Sequence, residues 1–164
     1  MNEQQPTPVL VLNGPNLARL GSREPDKYGS LDFAHLRVFC TDRARALGLR
    51  AETRVTDDEA ELIAWLGEAV DGHHPVVLNP AAFTHYSYTV CDPAAQVTGA
   101  WLPLVEVHLK NPRSREVLRL RPVTSRAPTG NTASLGLSPH AFDLTAVAGR
   151  PGAGLHPGPV VARQ

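Results

Sequence analysis

Apolar residues fall along this chain in two alternating patterns. Short unbroken runs recur, each closed by a polar residue: Pro8-Val-Leu-Val-Leu-Asn13, Pro75-Val-Val-Leu-Asn79 and Leu102 to Leu109. Runs of this kind read as strands buried on both faces. Between them the apolar positions take a helical spacing. Ser30 is the expected N-cap of a helix over Leu31 to Leu47, with Leu31, Ala34, Leu36, Val38, Phe39 and Leu47 on its stripe and Gly48 as its stop. Arg50 to Val55 alternates and predicts a more exposed strand. Thr56-Asp-Asp-Glu59 resembles a capping box ahead of Leu62, Ile63, Trp65, Leu66, Ala69 and Val70. A further helix is expected from Ser87 to Thr98, and a helical turn from Arg113 to Arg119. Beyond Gly130 the pattern weakens to a faint strand over Asn131 to Leu135 and a short helix over Ala141 to Ala148.

Strands that alternate with helices of ten or more residues predict a parallel sheet covered on both sides. Right-handed crossovers then give a doubly wound α/β fold in a single domain. That domain is expected over residues 8–148. A flexible N-terminus (1–7) and a flexible Gly/Pro-rich tail (149–164) are expected to flank it.

Composition narrows the functional classes. In 164 residues, 16 basic and 16 acidic side chains cancel to a net charge of +0, which gives no general attraction to nucleic acid or to an anionic membrane. No apolar run is long enough to span a membrane. With 2 cysteines, Cys40 and Cys91, there is no disulfide framework and no Cys-rich zinc site; both are expected in helices as small apolar residues. The expectation is a cytoplasmic protein acting on a small molecule.

In open α/β sheets, ligands bind outside the carboxyl ends of the strands. Three strand ends place polar groups there: Asn13-Gly-Pro-Asn16, Asn79-Pro-Ala-Ala82 and Glu106-Val-His108. Glu106 and His108, two apart, share a strand face, and a carboxylate beside an imidazole fixes its tautomer and raises its basicity. Nearby loops add Arg23, Tyr28, His85, Arg113, Arg115 and Arg119. Each feature also has a structural reading: an Asn at a strand end forms turns, and a lone His sits in cores. Their coincidence on one edge favours a site. His85, His108 and Asp92 could ligate a cation, but no His-x-x-x-His and no dense ligand cluster accompanies them. The first turn lacks both phosphate-binding glycine motifs.

Longer motifs resemble the type II 3-dehydroquinate dehydratases. Asn13-Gly-Pro-Asn-Leu17, Leu20-Gly21 and Arg23-Glu-Pro-Asp-Lys-Tyr-Gly29 resemble that family's first signature; Asn79-Pro-Ala-Ala-Phe-Thr-His85 with Ser87 and Asp92 the second; and Val105-Glu-Val-His108, Asn111, Arg115-Glu116 and Arg119 the third. Ser125, Ala127 and Gly130 continue the third weakly. The resemblance implies a flavodoxin-like five-stranded parallel sheet, a trimer-based homo-oligomer of dodecameric size, and no metal or organic cofactor. It implies a lyase of the shikimate pathway, in aromatic amino acid biosynthesis, that converts 3-dehydroquinate to 3-dehydroshikimate through an enolate.

By the same resemblance, Tyr28 matches the base, with Arg23 and Arg115 lowering its proton affinity, and Asn16 matches the enolate stabiliser. His108 matches the general acid and Glu106 its orienting partner. Asn79 and the backbone of Leu109 and Lys110 match carboxylate contacts, His85 and Arg119 match contacts to ring hydroxyls, and Asp92 matches a residue serving the neighbouring subunit's site. The segment Leu17 to Tyr28 corresponds to a lid.

Departures from the family pattern cluster late in the chain. Leu109-Lys110-Asn111 stands where the family has Ile-Ser-Asn, Arg121-Pro122 replaces His-Ser, Asn131-Thr-Ala-Ser134 replaces an apolar strand, and Ser138-Pro-His-Ala141 replaces a Gly-Tyr region. Alternative readings are a dehydratase acting on a related ring, such as an amino analogue of dehydroquinate in a specialised pathway, and a non-catalytic binding protein of the same family. A flavodoxin-like electron carrier would need a hydroxyl-rich first turn, which Asn13-Gly-Pro-Asn16 does not provide.

Overall fold

A computed structural model of the chain describes residues 6–21, 32–109, 123–133 and 137–149. Five strands, β1 (Thr7–Asn13), β2 (Leu49–Val55), β3 (Val76–Asn79), β4 (Leu104–His108) and β5 (Gly130–Ala133), pair in parallel in the order β2-β1-β3-β4-β5. This is the doubly wound order of the flavodoxin-like fold. Four helices connect them: α1 (Phe33–Ala46), α2 (Glu59–Asp71), α3 (Tyr88–Gly99) and α4 (Ser138–Ala148).

The unbroken apolar runs arise because β1, β3 and β4 are buried on both faces. On one face Leu10, Leu12, Leu78 and Leu104 pack against Leu62, Leu66 and Ala69 of α2 and Val90, Ala94 and Val97 of α3. On the other, Val9, Val11, Val77, Val105 and Val107 meet Leu36, Cys40 and Ala44 of α1 and Leu144 and Val147 of α4. Burial pushes the Cys40 thiol up to about 12, so it behaves as a small apolar group. Cys91, also expected as such, is only half-buried.

Several boundaries differ from the sequence expectation, each for a local reason. Helix α1 begins at Phe33, capped by Asp32, whose carboxylate accepts the His35 N–H at 2.8 Å; the expected cap Ser30, with Leu31, lies outside the described residues. Helix α2 is capped by Asp58, which accepts from Ala60 N–H at 2.9 Å, while Thr56 accepts from Asp58 N–H, so Thr56 forms a turn one step earlier. Strand β4 is two residues shorter at its start, where Pro103 lacks the N–H a ladder needs. The loop after β3 winds into a 3-10 turn, Ala81–His85. Strand β5 ends at Ala133, with 134–136 outside the described residues, and α4 starts three residues before the expected Ala141, with Pro139 in its first turn. The expected turn over Arg113 to Arg119 also lies outside them. No described helix is long and apolar enough to cross a membrane.

Candidate active site

Strand β1 has β2 on one side and β3 on the other, so the chain reverses its winding between β1 and β3. Ligands favour the crevice at such a switch point. Asn13 and Asn79 are register partners there. The loops beyond them are locked together. Gly14 N–H donates to Asn79 O at 2.8 Å, and a Cβ on Gly14 would stand 2.5 Å from Pro80 O, so only glycine permits this approach. The Asn13 side chain takes the structural role: its amide donates to Arg54 O at 3.0 Å and to Val11 O at 3.3 Å.

Two further residues on this edge sit in the left-handed region. Asn16, at φ 66°, tolerates it better than most side chains, and its N–H donates to Asp57 Oδ1 at 2.7 Å. Asp57, which follows β2, thus supports the backbone of a candidate catalytic residue. Ala81, at φ 50°, holds a conformation that costs an L-residue roughly 1–2 kcal/mol, an outlier of the kind that gathers at functional sites. Its N–H donates to the Asn79 side-chain oxygen at 3.2 Å, which leaves the buried amide's NH2 end as the donor for an anionic ligand.

The end of β4 carries the densest polar cluster. Glu106 is fully buried and His108 nearly so, on the α2/α3 face of the sheet. His108 Nε2 lies 2.6 Å from Glu106 Oε1. The same oxygen accepts from Ser125 Oγ at 2.7 Å and from Thr84 Oγ1 at 3.2 Å, and Oε2 accepts from Thr124 Oγ1 at 2.9 Å. Burial by itself would raise the Glu106 carboxyl, but hydrogen bonds from His108, Ser125 and Thr124 and the charge of His108 outweigh it and hold the group below its ordinary value. An ionised Glu106 accepts from Nε2–H and orients the imidazole.

Of the residues singled out in the sequence, Asn16, Asn79, Glu106, His108, Leu109 and His85 all lie at the carboxyl edge, His85 half-buried at the end of the 3-10 turn. Asp92 is exposed on α3, one position before Pro93. Arg23, Tyr28, Lys110, Arg115 and Arg119 lie outside the described residues, as does Arg113. Sequence reading missed Asp57, Thr84 and Thr124. Thr84 stood within the quoted Asn79–His85 motif, but its hydroxyl carried no sign of a partner 22 positions away. Among the described residues no three His, Cys, Asp or Glu side chains gather as a bound cation would need.

Residues 7–148 match the family described as dehydroquinase class II. Among curated relatives, the 3-dehydroquinate dehydratase of Salinispora tropica is 46% identical over 142 residues, covering 87% of this chain and 97% of that protein. The 3-dehydroquinate dehydratase of Mycolicibacterium paratuberculosis is 42% identical over 143 residues, covering 87% and 98%. Among solved structures, the type II dehydroquinase of Propionibacterium acnes superposes with a TM-score of 0.82 at 40% identity, over 88% of this chain and 97% of that one.

Proposed function

Given that the chain belongs to the class II dehydroquinase family, we propose that it dehydrates 3-dehydroquinate to 3-dehydroshikimate through an enolate, with Tyr28 as base and His108 as acid. The observation that carries this reading is the Glu106–His108 contact of 2.6 Å at the carboxyl edge, inside a shell of hydroxyl donors that keeps Glu106 ionised.

In this mechanism Tyr28, its phenol made more acidic by Arg23 and Arg115, removes the proton next to the ketone. Asn16, held in its left-handed turn by Asp57, supports a water that donates to the developing enolate oxygen. His108 delivers its proton to the departing hydroxyl, so the C–O bond breaks as water forms and the enolate electrons close the conjugated double bond. The NH2 of Asn79 and the backbone beyond His108, at Leu109 and Lys110, hold the substrate carboxylate, while His85 and Arg119 hold ring hydroxyls. Closure of the segment Leu17 to Tyr28 brings Arg23 and Tyr28 over the bound ring.

The working unit is a homo-oligomer built from trimers, with twelve chains in all. Asp92, exposed on α3, serves the neighbour's site. Light scattering that finds only monomer would remove this shared site.

The direct test is ultraviolet detection of the conjugated enone from 3-dehydroquinate, run beside its amino analogue. Turnover of the first, with a loss of about 10²–10⁴-fold in Tyr28→Phe, is the expected result. Turnover of the analogue alone would move the protein to a specialised pathway, and turnover of neither would make it a binding protein.

A further inference from the structure

Resting on the assignment of His108 as the acid, we infer that Thr124 is a positioning residue: its hydroxyl fixes the plane of the Glu106 carboxylate and so the aim of Oε1 at the His108 imidazole. A carboxylate's terminal torsion is broad, so no rotamer preference sets that plane. Hydrogen bonds must set it. The donors around Glu106 are distributed unevenly. Oε1 faces His108 at 2.6 Å, Ser125 at 2.7 Å and Thr84 at 3.2 Å, whereas Thr124, at 2.9 Å, is the donor to Oε2 among the described residues. Three donors on one oxygen allow the carboxylate to pivot about it; the fourth, on the other oxygen, stops the pivot.

Thr124 is itself fully buried and well placed for this work. Its Oγ1 lies 2.8 Å from Thr84 Oγ1, and Val123 N–H donates to Thr84 O at 2.5 Å, so the segment after residue 122 is fastened to the turn that carries His85. The hydroxyl has one proton for two acceptors. The ionised carboxylate claims it over the neutral Thr84 oxygen, because charge-assisted hydrogen bonds are the stronger ones. Close by are the Cys91 thiol, raised first by burial and then by the charges of Asp92 and Glu106, and Arg126, which opposes that rise. Here the charges of Asp92 and Arg126 oppose each other, and the Thr124 donor on Oε2 adds to those of His108 and Ser125 in keeping Glu106 ionised.

The test is an NMR titration of the His108 ring in wild type, Thr124→Val, Thr124→Ser and Glu106→Gln, paired with steady-state kinetics across pH. Losing the donor on Oε2 is expected to let the carboxylate turn from the ring and so to lower the His108 midpoint by about half a pH unit in Thr124→Val, as the contact that favours the charged imidazole is lost. Turnover is expected to fall on the order of tenfold, with KM within about twofold, as for a group that acts in the transition state alone. Thr124→Ser, which keeps the hydroxyl, restores both. In a Glu106→Gln background, Thr124→Val shifts His108 no further. Should valine prevent folding, Thr124→Ala makes the same comparison.

An unmoved His108 midpoint and pH profile in Thr124→Val, with loss confined to thermal stability, would overturn the proposal, because the hydroxyl would then only fill space. An equal shift in the Glu106→Gln background would overturn it too, since Thr124 would be acting on His108 by another route. The titration needs no substrate. A shifted midpoint in a protein that does not turn over 3-dehydroquinate therefore supports the positioning role while removing the activity.

Discussion

An acid and a histidine are buried on each face of β4, and the two pairs answer burial in opposite ways. On the α2/α3 face, Glu106 receives donors from His108, Ser125, Thr84 and Thr124, and its carboxyl is held down despite full burial. On the other face, His140 and Asp143 sit on α4, also buried, but among the described residues His140 has a hydrogen-bond partner on neither ring nitrogen, and Asp143 has one donor, Thr132 Oγ1 at 2.9 Å. Burial pushes Asp143 up to about 6 and His140 down to about 4. The same residue types thus set an ionised carboxylate against an imidazole where donors converge, and a carboxyl and an imidazole that burial has made harder to charge where they do not. Desolvation is common to both; the count of hydrogen-bond donors decides the outcome.

The largest effect expected from this contrast is catalytic. His108→Asn keeps a polar group beside Glu106 but removes the exchangeable proton, and turnover should fall about 10²–10⁴-fold while the melting transition stays in place. Wild-type turnover in this variant would show the Glu106–His108 pair to be structural, and the two faces would no longer differ in kind.

The His140–Asp143 pair makes pH-dependent predictions with opposite signs. Asp143 has its folded value raised above 3.8, so its contribution to stability is present below about 4 and lost as pH rises through about 6. Asp143→Asn should remove that loss and stabilise the fold at pH 7 by roughly 2–3 kcal/mol, with no gain at pH 3, as read by urea unfolding at both values. His140 has its folded value depressed below 6.5, so its contribution is present above about 6.5 and lost as pH falls through about 4. The two slopes oppose each other, which flattens the wild-type profile in that window. His140→Leu removes two buried unpaired nitrogens and should stabilise the fold by about 1–2 kcal/mol at pH 7, and by more at pH 4. An unchanged acid limb in His140→Leu would mean the ring is hydrated.

The smallest effect belongs to Thr132→Val, which takes away the donor to Asp143. It should cost about 0.5–1 kcal/mol at pH 7, less at pH 4, and nothing in an Asp143→Asn background that has lost the charge. Equal losses at both pH values would assign the effect to packing.

How far the sequence revealed these two faces follows from the same physics. The strands, the order of helices and the acid–His spacing of β4 were legible because periodicity and i, i+2 geometry are local properties. Glu106 and His108 could be placed on one face from spacing alone, and the family motifs named Asn16, Asn79 and His85. The hydroxyls of Thr84 and Thr124 were not legible: a threonine donates across tens of residues without leaving a pattern. The C-terminal departures also read differently once packed. Asn131 to Leu135 gave a faint strand signal because its residues are mostly polar, and the Thr132 hydroxyl donates to Asp143 of α4. Asp57 left no signal, since its contact is made to a backbone N–H.

That contact links catalysis to heat. Asp57 follows β2, which lies at the edge of the sheet and pairs on one side alone, with β1. Edge elements open at lower free energy than the central strands do. When β2 frays on warming, Asn16 loses the carboxylate that holds its turn while the buried runs of β1, β3 and β4 remain intact. Activity should therefore fade at a temperature below the global melting point, and the working ceiling of this enzyme is set by a strand that carries none of its candidate site residues.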